Sequence, residues 1–162
     1  MASTRQRKPL AEGARAPEFR LARLDGGEST LQDLIANGPV LLVFFKVTCP
    51  VCQFAFPFFE RLHQPGTLPV YGVCQNDAED TRDFNRRFGI TFPTLLDSED
   101  DGYPASNGFG ISTVPTAFLI ERDGTISRVM EGWQKKQIEW LGGKAGVNPF
   151  RPGEYVPEWK AG

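Results

Sequence analysis

Cysteine and histidine are scarce: of 162 residues only Cys49, Cys52 and Cys74 carry a thiol, and His63 is the single imidazole. So few thiols exclude a small secreted scaffold stapled by several disulfides. They also leave too few ligands for a zinc centre built on Cys and His, since His63 lies on the same expected helix as Cys52 but about 16 Å further along at about 1.5 Å rise per residue. Charge of one sign is lacking as well, with 18 basic against 20 acidic residues and a net charge of -2, so nucleic acid and anionic membranes are not expected as partners. No apolar run approaches the roughly 18 residues of a membrane span. The opening "MASTRQRKPLAEGARAPEF" is basic but lacks the apolar stretch of about seven residues that a signal sequence needs, so a cytoplasmic location is expected. No repeat or low-complexity segment interrupts the chain, and a hydrophobic content of 40% suits one domain with an ordinary core.

Residues 1–15 are polar and unpatterned, which predicts a flexible N-terminal arm. In "FRLARLDGG", Phe19, Leu21 and Leu24 roughly alternate before Asp25, Gly26 and Gly27, as in a short strand and turn. "STLQDLIANG" offers Thr30 as N-cap with Asp33 three residues on and Gly38 as stop, a short helix. "VLLVFF", Val40 to Phe45, is continuously apolar, as a strand covered on both faces would be. "QFAFPFFERLH" then reads as a helix whose Phe54, Phe56, Phe58 and Phe59 line core and groove, ending near Pro65 and Gly66. "LPVYGVC" is a second buried strand, "AEDTRDFNRRFG" an amphipathic helix closed by Gly89, and "FPTLLD" a third strand. "SEDDGYPASNGFGIS" is turn-rich with a helical turn near Pro104, and "TVPTAFLIERDGTISRVMEG" is a hairpin across Asp123 and Gly124. "QKKQIEWLGG" is a last helix, and the Pro and Gly of 144–162 predict an extended tail. The domain itself is thus 16–143, an α/β unit with a parallel core that finishes in an antiparallel hairpin and is covered by helices on both faces.

The chemistry concentrates in "FFKVTCPVCQFAFP", residues 44–57, where strand gives way to helix. Cys49 falls at the N-cap, Pro50 at the first helical position, Val51 next and Cys52 at the third. A sulfur at the N-cap takes the place of a Ser or Asp oxygen and receives the free N–H of Cys52. Those N–H groups and the positive end of the helix dipole favour thiolate over thiol, and place a nucleophile and its resolving thiol one turn apart. Two buried structural thiols are the bland alternative, but burial alone gives no reason for this junction with proline between them. Cys74, at the end of its strand, reads as a small apolar residue, and Lys46 as a solvated strand-end lysine. Trp133, Trp140 and Trp159 ask for no special role.

A strand, then "CPVC", then a helix with Pro57 five residues past Cys52, then "TVPTAFLI" far downstream together resemble the thioredoxin superfamily. "APEFRLARLDGGESTLQDL", "PVLLVFF" and "GITFPTLLDSED…FGISTVPTAFLIERDGTI" resemble its redoxin and TlpA/ResA-like branch, over about residues 16 to 141. The resemblance implies a thioredoxin-like fold, a central mixed sheet flanked by helices on both faces. It implies thiol–disulfide exchange at Cys49 and Cys52 with a disulfide-containing protein substrate and an electron donor, in the service of redox homeostasis, with no cofactor and no metal. Cys49 would be the attacking cysteine, Cys52 the resolving one, Pro115 a cis-proline against the pair, Val114 the residue that offers backbone to an extended substrate, and Pro57 a helix kink.

The sequence also departs from that pattern. Thr48 stands where an aromatic usually precedes the first cysteine. Val43 and Ala55 stand where related proteins carry the carboxylates that accept the resolving proton, so no general base is evident. Because the first half also resembles peroxiredoxins, a thiol peroxidase using Cys49 is the alternative, against which Lys46 stands where that signature has threonine and no proline lies between Val40 and Cys49. A thioredoxin-fold binding module with an idle cysteine pair is a third class.

Overall fold

The structure, a computed structural model, describes residues 8–162. In chain order it contains β1 (Arg20–Arg23), β2 (Glu28–Thr30), α1 (Leu31–Ile35), β3 (Val40–Phe45), α2 (Pro50–His63), β4 (Val70–Cys74), α3 (Ala78–Phe88), β5 (Thr94–Leu96), α4 (Pro104–Phe109), β6 (Thr116–Ile120), β7 (Ile126–Glu131), β8 (Trp133–Gln134), α5 (Lys135–Ala145) and β9 (Trp159–Lys160). Seven of the strands form one sheet in the order β2-β1-β5-β4-β3-β6-β7. Strands β3, β4 and β5 run parallel, while β6 and β7 close one side antiparallel and β1 and β2 the other. The mixed sheet is the expected one, with β2 added: three residues are too short to show a period, and pairing with β1 makes them a strand.

Every residue of β3 is buried, because the pleat sends its side chains alternately to two cores. Leu41, Val43 and Phe45 meet Phe56 and Phe59 of α2, Phe84 of α3 and Ile138 and Leu141 of α5. Val40, Leu42 and Phe44 meet Leu31 and Leu34 of α1 and Phe109 of α4. Ring centroids lie 4.3 Å apart for Phe45 and Phe56 and 5.1 Å for Phe44 and Phe109, so aromatic packing ties β3 to a helix on each face. Helix ends follow the expected signals: Thr30 and Asp33 form a reciprocal capping box, and Gly89 ends α3 with φ 67°.

Residues 1–7 of the arm lie outside the described residues. The rest of 1–15 is bonded down, with Leu10 N–H donating to Phe109 O at 3.1 Å and Gly13 N–H to Ile126 O at 2.8 Å. Leu10 and Ala14 add apolar area to the second core, too little to leave a pattern in the sequence. Helix α5 continues to Ala145, two residues into the stretch expected as an extended tail, and the segment after it lies against the domain. The Arg61 guanidinium grips Glu154 through two bonds of 2.7 Å and also donates to Pro149 O at 2.8 Å. Trp133 Nε1–H donates to Pro157 O at 2.7 Å, and β9 pairs antiparallel with β8.

Candidate active site

Strand β3 ends at Phe45 and the chain turns through Lys46–Thr48 to Cys49, which caps α2 in an extended conformation (φ -79°, ψ 114°) with Pro50 at the first helical position. The Cys52 N–H donates to Cys49 Sγ at 3.2 Å, and the first helical bond runs from Gln53 N–H to Cys49 O at 3.0 Å. Cys49 is half-buried and Cys52 fully buried, so one sulfur meets solvent and the other waits behind it. Two residues not foreseen from the sequence hold the turn. Asn76 Oδ1 accepts from Val47 N–H at 3.0 Å, and Gln53 Nε2–H donates to Val47 O at 2.9 Å. The Asn76 bond has no local signature, because Asn76 arrives from the end of β4 and only the parallel β3–β4 pairing brings it there.

The Val114–Pro115 bond is cis, and this loop faces the cysteine pair: Cys49 Sγ–H donates to Val114 O at 3.3 Å. That carbonyl serves the thiol alone, since a thiolate has no proton to donate. The groups on the helix side favour the anion and outweigh it. They hold the Cys49 pKa down to about 6, first through the Cys52 side chain, then through the N–H groups of Cys52 and Val51 and the charge of Lys46, against desolvation. Cys52 moves the opposite way, its thiol pushed far up by burial and secondarily by Cys49 itself. Val43 and Ala55 are fully buried and supply no carboxylate behind it. The pair therefore has one ionised member and one neutral member at neutral pH.

Of the remaining expected site residues, Pro50 is exposed, Val51 is half-buried beside Cys49, and Pro57 sits inside α2, which continues past it to His63. Lacking an N–H, Pro57 leaves Gln53 O without its helical donor. Phe54, half-buried, packs edge-on to Trp133 with centroids 4.9 Å apart. Trp133, to which the sequence assigned no role, is thus a buried link between α2 and the C-terminal segment. Cys74 is buried, 3.2 Å from the Thr81 hydroxyl, and burial raises its pKa. His63 accepts from Val70 N–H at 3.0 Å and has a lowered pKa, mainly from burial. Among the described residues no group of three or more His, Cys, Asp or Glu side chains could hold a metal ion. A cleft of about 260 Å³ opens beside Val114, lined by Lys46, Gln75, Tyr103 and Ser106.

A dithiol at the start of a helix, set against a cis-proline loop on a mixed sheet, defines the thioredoxin-like class of redox folds. Within it, residues 13–129 match the AhpC/TSA family, and the chain belongs to that family. It is 29% identical to the thiol-disulfide oxidoreductase ResA of Geobacillus thermodenitrificans, over 82% of this chain and 76% of that protein. Identity to the thioredoxin-like protein YneN of Bacillus subtilis is 33%, over 80% of this chain and 78% of that protein. Among solved structures, the thioredoxin domain of a thiol-disulfide oxidoreductase from Bacteroides vulgatus superposes with a TM-score of 0.73 at 21% identity, covering 86% of this chain and 99% of that one, a likeness of fold.

Proposed function

We propose that the chain is a thiol–disulfide oxidoreductase that reduces disulfides in protein substrates. The observation that carries this reading is the Cys49 sulfur at the cap of α2, held as a thiolate near neutral pH with the neutral Cys52 thiol one turn behind it. The Cys49 thiolate attacks one sulfur of the substrate disulfide, a Cys49–substrate bond forms, and the substrate's second sulfur leaves as a thiolate. The Cys52 thiol then gives its proton to a departing substrate sulfur and attacks Cys49 Sγ. The Cys49–Cys52 disulfide forms, the substrate leaves as one thiolate and one thiol, and two electrons have passed to it.

Cys52 is kept neutral partly by Cys49, so capture of Cys49 in the mixed disulfide removes that opposition and makes attack easier at the moment it is needed. Val114 and Pro115 serve in this reading as the edge along which an extended substrate adds its backbone. Pro50 and Val51 carry no histidine to hold the thiolate further, which favours a reductant over a strong oxidant. A thiol-based electron donor restores the dithiol, and the cytoplasm is the compartment proposed for the cycle.

Insulin-disulfide reduction and peroxide consumption, followed separately, test the reading. Insulin turnover that disappears in Cys49→Ser, without peroxide loss, is expected. Peroxide loss without insulin turnover overturns the reading in favour of the peroxidase alternative, and neither activity leaves a binding module.

A further inference from the structure

The C-terminal segment does more than cover the domain. Its residues 160–162 lie against the backbone of the cis-proline loop. A β-carbon on Gly162 would stand 2.6 Å from Val114 O and 3.3 Å from Thr113 Oγ1, closer than a side chain tolerates, so the Gly162 backbone lies directly on the residues that precede Pro115. From the other side, Gly132 N–H donates to Pro115 O at 2.8 Å, and a β-carbon on Gly132 would overlap Lys160 O and stand 2.9 Å from Gly162 N. Glycine at both positions lets the strands approach this closely. Residues 160–162 therefore run over the loop whose Val114 carbonyl accepts from Cys49.

The grip on this stretch is graded along the chain. Glu154 is clamped by Arg61, and Pro157 by Trp133, which fixes the base of the segment. Beyond that base it is retained by Glu158, whose carbonyl accepts from Lys135 N–H at 3.0 Å and whose exposed carboxylate lies 3.6 Å from the Lys135 ammonium, by the two-residue β8–β9 pairing, and by the Lys160 ammonium, 5.3 Å and 5.6 Å from the Phe54 and Tyr155 ring centroids. Trp159 is 64% exposed, and Ala161 and Gly162 are exposed too. Residues 159–162 can leave the loop while the base stays in place.

We propose that residues 159–162 occupy the substrate-binding edge in the resting protein and are the specificity-determining element of the exchange. Small disulfides reach Cys49 with the segment in place, whereas an extended protein substrate must displace it. This inference rests on the exchange reading above and on Val114 as the substrate edge. A segment closed about nine-tenths of the time lowers the rate of a competing binder about tenfold, and its removal restores that factor.

The test uses the Cys52→Ser chain with and without residues 159–162, a deletion that leaves the Glu154 and Pro157 contacts whole. Each chain reacts with methyl methanethiosulfonate and with an extended peptide whose cysteine is activated by thionitrobenzoate. In the second reaction Cys49 takes the peptide sulfur and thionitrobenzoate leaves as the coloured thiolate. The deletion should speed peptide capture about tenfold and change methanethiosulfonate capture less than about twofold. In the full-length peptide adduct, amide exchange over 159–162 should rise, and in the methylthio adduct it should not. Gly162→Val, whose β-carbon would push the segment off Val114 O, should reproduce the deletion in part and covers the case of a deletion that does not fold. Equal peptide rates in the two chains, or a peptide adduct with unchanged exchange over 159–162, overturns the inference while leaving thiol–disulfide exchange intact. A peptide that reacts with neither chain, while methanethiosulfonate reacts with both, overturns the exchange reading and this inference with it.

Discussion

Cys49 and Cys52 share one helical turn yet differ in ionisation because one sulfur caps the helix from outside and the other is buried within it. Alkylation by iodoacetamide should accordingly rise with a midpoint at pH about 6 for Cys49, while Cys52 resists modification until the solution is strongly alkaline. Cys52→Ala removes the leading contribution to the lowered pKa and should move the Cys49 midpoint upward. Lys46→Ala, which removes a lesser one, should move it less. The sign carries through to stability. A thiol whose folded pKa is depressed adds stability that is complete above its unfolded pKa of about 8.5 and is lost as pH falls through the folded value. The Tm of the reduced protein minus that of reduced Cys49→Ser should therefore grow between pH about 6 and about 8.5 and level off above. A Tm difference that shrinks over this range contradicts a thiolate stabilised by the fold.

At the scale of elements, the C-terminal segment depends on the ion pair between α2 and Glu154, whose side chains are 17% and 25% exposed. Arg61 lowers the Glu154 pKa, so the contribution of this pair is complete above the ordinary carboxylate range near pH 4.3 and fades as pH falls through the lowered value. Glu154→Gln should cost about 1 kcal/mol of segment docking at pH 7 and make residues 148–158 more sensitive to limited proteolysis while Tm falls little. Unchanged proteolysis would show that Trp133 and β8 suffice. This element also marks how far the sequence could be read. The run Val40–Phe45, the Thr30 capping box, Gly89 and the cap position of Cys49 are all local signals, spelled out within a few residues. The β8–β9 pair, the Arg61 clamp and the Asn76 bond that holds Val47 join residues far apart in the chain, and nothing near either partner announces them. The many prolines and glycines of 144–162 are compatible with a chain that leaves the helix after Ala145, two residues into this stretch, but they say nothing of what such a chain can lie against.

Over the whole molecule, two cores meet back to back across β3. Phe56 sits in the first of them, fully buried among Phe45, Phe59, Phe84 and Phe92. Phe56→Ala should cost about 3–5 kcal/mol and lower the Tm on the order of 10 °C, whereas half-buried Phe54→Ala should cost less. A two-state melt of the variant checks the figure, and a loss below about 1 kcal/mol would mean the cavity has closed by rearrangement. The placement of β3 between the cores also governs which changes of length the chain can accept. Its side chains go by turns to one core and the other, so a single residue inserted between Val40 and Phe45 would exchange the two sets downstream of the insertion, Phe44 for Phe45 among them, and turn the strand inside out. A residue added at the exposed Gly26–Gly27 turn moves nothing in either core. A change of length is therefore tolerated at such turns, whereas the six residues of β3 that lead toward Cys49 admit none without exchanging the two cores.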